Sequence, residues 1–247
     1  MLFLKMKDYR MSHLGEKSRR YEEEIYRKGD YDDAIWQIEK LILKKEAEAF
    51  FRRRPYFSYL DFGCGGGRVL EFLEEYASRA VGVDISPDMI AYAKKRVKKA
   101  ELIVADLTKH DVLAGQRFDM ITAFRIFLNA GPELSDEIIN VLMPKLGEDG
   151  VFIFNFHGNI LSYRIFTKLW FMLWGRRLNT ISYWSALGFA RRYGLSVRRV
   201  YGVGIMPKVF YRLISRRLMF KLDYIFAEVP FMKYISYNLI LVCERQS

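Results

Sequence analysis

A run of glycines set between two aspartates limits this chain more than any other stretch. It reads LDFGCGGGRVL from Leu60 to Leu70, with VGVDIS following from Val81 to Ser86. Gly63, Gly65, Gly66 and Gly67 allow a sharp turn and a close approach of backbone to a ligand. The residues before them, FSYLDF, read as a short buried strand. Those after, Gly67 to Tyr76, read as a helix whose first free N–H groups face the same point. A dinucleotide fingerprint GxGxxG does not fit: read from Gly63 it needs glycine where Arg68 stands, and read from Gly65, where Leu70 stands. Asp61 is also awkward beside a pyrophosphate.

The elements downstream alternate. ASRAVGVDIS is a second strand. Ser86-Pro87 starts a helix, with Ser as N-cap and Pro at the first helical position, running to about Lys98. ELIVAD and FDMITAF are a third and a fourth strand, Pro132 to Met143 is helical, KLGEDG is a turn and VFIFNF is a fifth strand. Continuous apolar strands alternating with helices predict an α/β fold, with a parallel sheet covered on both faces. Ligands of such sheets lie beyond the carboxyl ends of the strands. There Asp61 suits a cationic group, Asp84 a ribose diol and Asp106 an exocyclic adenine amine. An ammonium, a ribose and an adenine together describe S-adenosylmethionine (SAM).

LDFGCGGGR, VGVDIS, VADL and FDMITAF, in this order and spacing, resemble the class I SAM-dependent methyltransferases over roughly residues 56–160, and more loosely over 180–245. The resemblance implies a Rossmann-like, mostly parallel sheet with helices on both faces and an antiparallel last strand. SVRRVYGVGI and ISYNLILVCE would form its antiparallel edge pair. It also implies roles by residue. Asp61, Gly63, Cys64 and Gly65 would surround the methionine end. Asp84 would accept from the ribose hydroxyls, with Ile85 and Met89 against the adenosine. Asp106 and Leu107 would meet the adenine, and Ala123 and Phe124 would close over the methionine. AFRIFLNAGPEL and LGEDGVFIFNFHGN further resemble a subgroup associated with glycan and polysaccharide biosynthesis.

Methyl transfer to a hydroxyl gains from a base within hydrogen-bond reach. Of His13, His110 and His157, only His157 follows the fifth strand at the ligand-facing edge, so it is the candidate catalytic base, with Arg125 beside it. Asn129, Asn155 and Asn159 are candidate substrate contacts. No His/Cys/Asp/Glu cluster has metal-ligand spacing. Arg68 is expected to face solvent.

Charge and composition place the rest. Residues 156–233 carry fourteen Lys and Arg against Asp223 and Glu228, a net of +12, while residues 1–155 carry a net of −1. A localised basic third suggests a localised anionic partner. ILSYRIFTKLWFMLWGRR is too apolar all round for a lone surface helix, so it is expected to be buried, membrane-inserted or at an interface. RLISRRLMFKLDYIFAEV sets Ile214, Leu218, Leu222, Ile225 and Val229 on one face, for packing on the core or on an anionic membrane. These basic, aromatic-rich insertions fall at about 159–178 and 206–233 of a methyltransferase domain spanning 56–245. Residues 1–55 form a helical arm or lid, with Ile35, Ile38, Leu41 and Ile42 on its packed face and Tyr26, Tyr31 and Trp36 as an aromatic lid. Two cysteines, Cys64 and Cys243, give no disulfide framework and fit a reducing, cytoplasmic setting. The start, MLFLKMKDYR, has too short an apolar run for a signal peptide, and no stretch is long enough to span a membrane.

The leading expectation is an O-methyltransferase acting on a sugar or other hydroxyl. Its acceptor would be a glycan, a lipid-linked molecule or a small molecule at the inner membrane surface. An RNA methyltransferase is an alternative, against which stand the lack of an appended RNA module and the AFRIF end of the fourth strand. A noncatalytic SAM-binding or membrane scaffold is another.

Overall fold

The computed structural model describes residues 30–176 and 178–246, so His13 and Tyr26 lie outside the described residues. Helix α1 (Tyr31–Arg53) leads into β1 (Ser58–Phe62), α2 (Arg68–Leu73), β2 (Arg79–Asp84), α3 (Pro87–Arg96), β3 (Glu101–Val104), β4 (Phe118–Ala123), α4 (Phe127–Leu142) and β5 (Leu146–His157). Then come α5 (Arg164–Leu173), α6 (Tyr183–Arg192), β6 (Leu195–Val203), α7 (Phe210–Leu213), α8 (Arg216–Ala227) and β7 (Asn238–Arg245). The strands form one sheet in the order β3-β2-β1-β4-β5-β7-β6. All neighbours are parallel except β7, which runs antiparallel to both β5 and β6. β7 and β6 thus form the expected antiparallel pair at the sheet edge, with β7 against β5 and β6 outermost. The expected turn KLGEDG is a bulge: pairing with β4 jumps from Leu146 to Val151.

Period-two alternation sends neighbouring strand residues to opposite cores. Tyr59, Met120, Ile153 and Val242 face α1, α2 and α8, while Leu60, Ile121, Phe152, Phe154 and Leu241 face α4 and α6. Phe127 and Phe189 wedge over Phe154 with ring centroids at 5.4 and 5.8 Å. Each fully buried ring of this kind contributes roughly 1.5–3 kcal/mol by burial. α1 buries Ile35, Ile38, Ile42, Leu43, Ala47 and Phe50, but Leu41, expected on that face, is exposed. Two acids, Glu39 and Glu46, fall on the inner face instead.

α3 begins as its sequence predicts, with Ser86 Oγ accepting from the Met89 N–H at 3.3 Å and Pro87 in the first turn. α4 starts five residues earlier than expected. It is two pieces joined where Gly131 (φ 77°) and Pro132 interrupt the helix. No residue of α5 is buried. α8 buries Met219 and Asp223 instead of the expected stripe; Leu218 and Ile225 are about half exposed. Asp223 accepts from the Ile205 and Met206 N–H groups and from the Tyr211 hydroxyl, which ties α7 and α8 to the end of β6. No helix among the described residues is long and apolar enough to cross a membrane.

Candidate functional site

The carboxyl ends of β1, β2, β3 and β4 open into a cleft with two lobes that share Gly63, Gly65, Phe124 and Arg125. The larger lobe has a volume of about 800 Å³ including its open mouth, within the range of small-molecule sites. Asp84, Ile85, Met89, Asp106 and Leu107, all expected there, line it. Phe62, Thr108, Ile126, Leu134 and Ile138 line it too, and sequence reasoning missed them. Leu134 and Ile138 belong to the second piece of α4, which the break at Gly131 sets over the lobe.

The loop that divides the lobes needs its glycines. Gly63 has φ +64°, and a Cβ there would stand 2.6 Å from Ile126 Cδ1. Asp84 holds this loop: its Oδ2 accepts from the Gly65 N–H and its Oδ1 from the Ser86 N–H, each at 2.8 Å. Asp106 Oδ1 accepts from the Thr108 N–H and hydroxyl. His110 lies in an exposed turn, as expected.

The second lobe, about 490 Å³ with its mouth, lies under α1 and is lined by Trp36, Glu39, Asp61, Cys64, Arg68 and Val69 besides the shared residues. Arg68 does not simply face solvent: its guanidinium stacks over the Trp36 ring at 5.3 Å. Tyr31 lines neither lobe. It is buried between Tyr163, at 3.0 Å between hydroxyls, and Tyr211, so it is no lid over the cleft.

Asp61 is 2% exposed. Its Oδ1 accepts from Thr122 Oγ1 at 2.6 Å, while Oδ2 is sealed from solvent without a hydrogen-bond partner among the described residues. Burial pushes its carboxyl up to about 7, against the pull of Thr122, and the Asp84 charge adds to the rise. Burial likewise pushes Glu39 up to about 8, with the Arg68 charge opposing.

Glu39 belongs to a closed ring. Its Oε1 accepts from Asn238 Nδ2 at 2.5 Å, Asn238 Oδ1 accepts from Asn155 Nδ2 at 2.9 Å, and Asn155 Oδ1 accepts from the Arg125 N–H at 2.5 Å. Arg125 Nη2 returns to within 3.8 Å of Glu39 Oε2. The ring holds Arg125 at φ 63°, a left-handed conformation unfavourable for any residue with a side chain.

A raised carboxyl pKa has a definite sign in stability. Below about 4.5 both folded and unfolded states carry the proton. Between about 4.5 and about 8 the unfolded chain releases it while folded Glu39 keeps it, so stability falls as pH rises. Glu39→Gln is therefore expected to flatten the decline. Urea unfolding at low and neutral pH should show a difference of ~2 kcal/mol or more between wild type and variant in that decline. Parallel declines would contradict the burial of this acid.

Several expectations are corrected. Ala123 is the last residue of β4 and lies in the core, not over the cleft. Asn155 is fully buried in the ring. Asn159 is buried too, its Nδ2 donating to the Tyr234 carbonyl and its Oδ1 accepting from the Leu161 N–H. Both asparagines hold backbone and present nothing to a substrate. His157 stays near Arg125 and Asn129 as expected, with Nε2 3.4 Å from Asn129 Nδ2. Its Nδ1 is sealed with no partner among the described residues. Burial first, then Arg125 and Arg164, push its pKa down to about 3, so it is a neutral imidazole and a weak base, not one poised near neutrality. No group of residues among those described could hold a metal ion.

Residues 60–145 match the family described as methyltransferase domain. The malonyl-acyl-carrier-protein O-methyltransferase of Acetivibrio thermocellus is 29% identical over 106 residues, 41% of this chain and 36% of that protein. The mitochondrial ubiquinone biosynthesis O-methyltransferase of Saccharomyces cerevisiae is 26% identical over 129 residues, 49% of this chain and 40% of that protein. The matched stretch thus spans well under half the length of either relative. Among solved structures, magnesium protoporphyrin IX methyltransferase from Synechocystis PCC 6803 with bound SAH superposes with a TM-score of 0.65 at 16% identity, covering 96% of this chain and 98% of that one. The fold is the Rossmann-like class I methyltransferase fold.

Proposed function

We propose that this chain binds SAM across the two-lobed cleft and transfers its methyl group to a hydroxyl of a small-molecule, glycan or lipid-linked acceptor. One observation carries the reading. The second lobe sets two buried acids, Asp61 and Glu39, with two arginines, Arg68 and Arg125, against a first lobe edged by Asp84 and Asp106. Acids facing arginines suit the ammonium and carboxylate of an amino acid, and the first lobe suits a nucleoside. The named relatives are O-methyltransferases, which favours an oxygen acceptor.

SAM supplies an already electrophilic methyl group, so the protein mainly has to position the acceptor and exclude water. Phe124 and Arg125, shared by both lobes, stand where the sulfonium end would lie. His157, neutral and beyond Arg125, orients the acceptor hydroxyl through a hydrogen bond, and the hydroxyl proton passes to solvent as the oxygen–methyl bond forms. Residues 56–245 make the cofactor-binding domain, and α1 completes it with Trp36 and Glu39. A reducing, cytoplasmic setting fits Cys64 and Cys243, both free and buried.

Calorimetry with SAM tests the cofactor, and tritiated SAM incubated with lipid, glycan and RNA fractions tests the acceptor. In His157→Ala, SAM affinity is expected to stay within about twofold while turnover falls ~10²-fold. At saturating SAM, the wild-type rate should show no inflection near the ordinary histidine pKa. Wild-type turnover in the variant would reduce His157 to a structural residue.

A further inference from the structure

α5 packs none of its residues into the core. Phe166, Trp170, Met172, Leu173 and Trp174 are 75%, 59%, 62%, 81% and 67% exposed. On α7 and α8, Leu213 and Ile225 are 74% and 56% exposed. Exposed apolar side chains grouped along short segments in this way mark an interaction site.

Both segments leave the same edge of the sheet. His157 at the end of β5 and Val203 at the end of β6 both pair with Asn238. That edge is where β1 to β4 open into the cleft. Tyr31 joins the segments, its hydroxyl 3.0 Å from that of Tyr163 just before α5 and its ring centroid 5.1 Å from that of Tyr211 on α7.

The charge selects the partner. Residues 156–233 carry a net of +12. Arg176, Arg212, Arg216, Arg217 and Lys221 are exposed, with no ion-pair partner among the described residues. A nucleic acid matches that charge but has no apolar layer to receive Leu173 and Trp174. A second copy of the chain matches the apolar face but would bring two strongly positive surfaces together. An anionic bilayer offers both a negative surface and hydrocarbon beneath it, with Trp residues suited to the boundary.

We propose that the α5 and α7–α8 face docks on an anionic lipid bilayer and that the acceptor is an amphipath resident in that bilayer. The second half rests on the methyltransferase reading above.

Co-sedimentation with vesicles tests this, using phosphatidylcholine alone and phosphatidylcholine mixed with phosphatidylglycerol. The protein is expected to partition onto the mixed vesicles only, with binding falling several-fold as salt rises. Changing Arg212, Arg216, Arg217 and Lys221 together to Glu should weaken binding at least tenfold. The pair Leu173→Glu and Trp174→Glu should remove the part that survives salt. All of these side chains are exposed, and unchanged SAM calorimetry in both variants would show that the fold is intact. Equal partitioning onto neutral vesicles, partitioning onto neither, or RNA that displaces the protein from vesicles would overturn the docking. So would a dimer abolished by Leu173→Glu and Trp174→Glu. Vesicle binding without SAM binding would uphold the docking surface and overturn the acceptor assignment.

Discussion

Asp84→Ala is expected to weaken SAM binding about 100-fold or more in a protein that still folds. The carboxylate ends β2 at the larger lobe and already accepts from the Gly65 and Ser86 N–H groups. On the proposed reading it also accepts from the two ribose hydroxyls. Hydrogen bonds to a charged group contribute ~1.5–3 kcal/mol each, so two of them account for the loss. Removing the side chain also releases the Gly65 N–H and loosens the loop that separates the lobes. Asp84→Asn should fall between wild type and Ala, because one acceptor oxygen remains. Near-normal affinity in a folded Ala variant, read by calorimetry, would sink the placement of the nucleoside.

The second large effect is in pH. Below about 7 the free protein holds a proton on Asp61, and an ammonium binds only the carboxylate. SAM affinity should therefore fall about tenfold per pH unit once pH drops below that value. Glu39, held up to about 8 in the same lobe, extends the rise upward. The amino group of the cofactor loses its own proton near ~8, which limits affinity from above. The expected profile has its maximum between about 7 and about 8. Asp61→Asn should be weak throughout and lose most of the acid limb. The groups that set this balance are Asp84 beside Asp61, with Arg68 and Arg125 across the lobe. A flat wild-type profile would separate the buried acids from the cofactor.

The site was legible where chemistry follows strand ends. Asp61, Asp84, Asp106 and the glycines lie within a residue or two of turns that local sequence dictates. Ile85, Met89 and Leu107 follow from them. Glu39 escaped because the helical stripe was read through its apolar members alone. Yet Glu39 follows Ile35 by four positions and precedes Ile42 by three, so the stripe itself carried the signal. Arg68 was misjudged because its partner, Trp36, comes from a helix thirty-two positions away, and only packing brings them together. The asparagines were misread because burial, not sequence position, decides whether an amide faces a ligand or a backbone. The antiparallel pair of β6 and β7 stands where the resemblance implied, but which of the two lies against β5 is a long-range choice that their own residues do not announce. The exposure of α5 left one of its three expected settings excluded, since it is not buried.

The ring that fixes Arg125 joins residues 30, 83 and 199 positions apart in the chain. Closing loops of such length costs chain entropy that local contacts alone do not offset. The glycine loop and its aspartates can form from a short, early stretch of chain. The part of the second lobe that holds Glu39 and Arg125 cannot, because Asn238 must first pair between β5 and β6. If the cofactor lies as proposed, contacts close in sequence build the nucleoside end of its site and contacts distant in sequence build the amino-acid end.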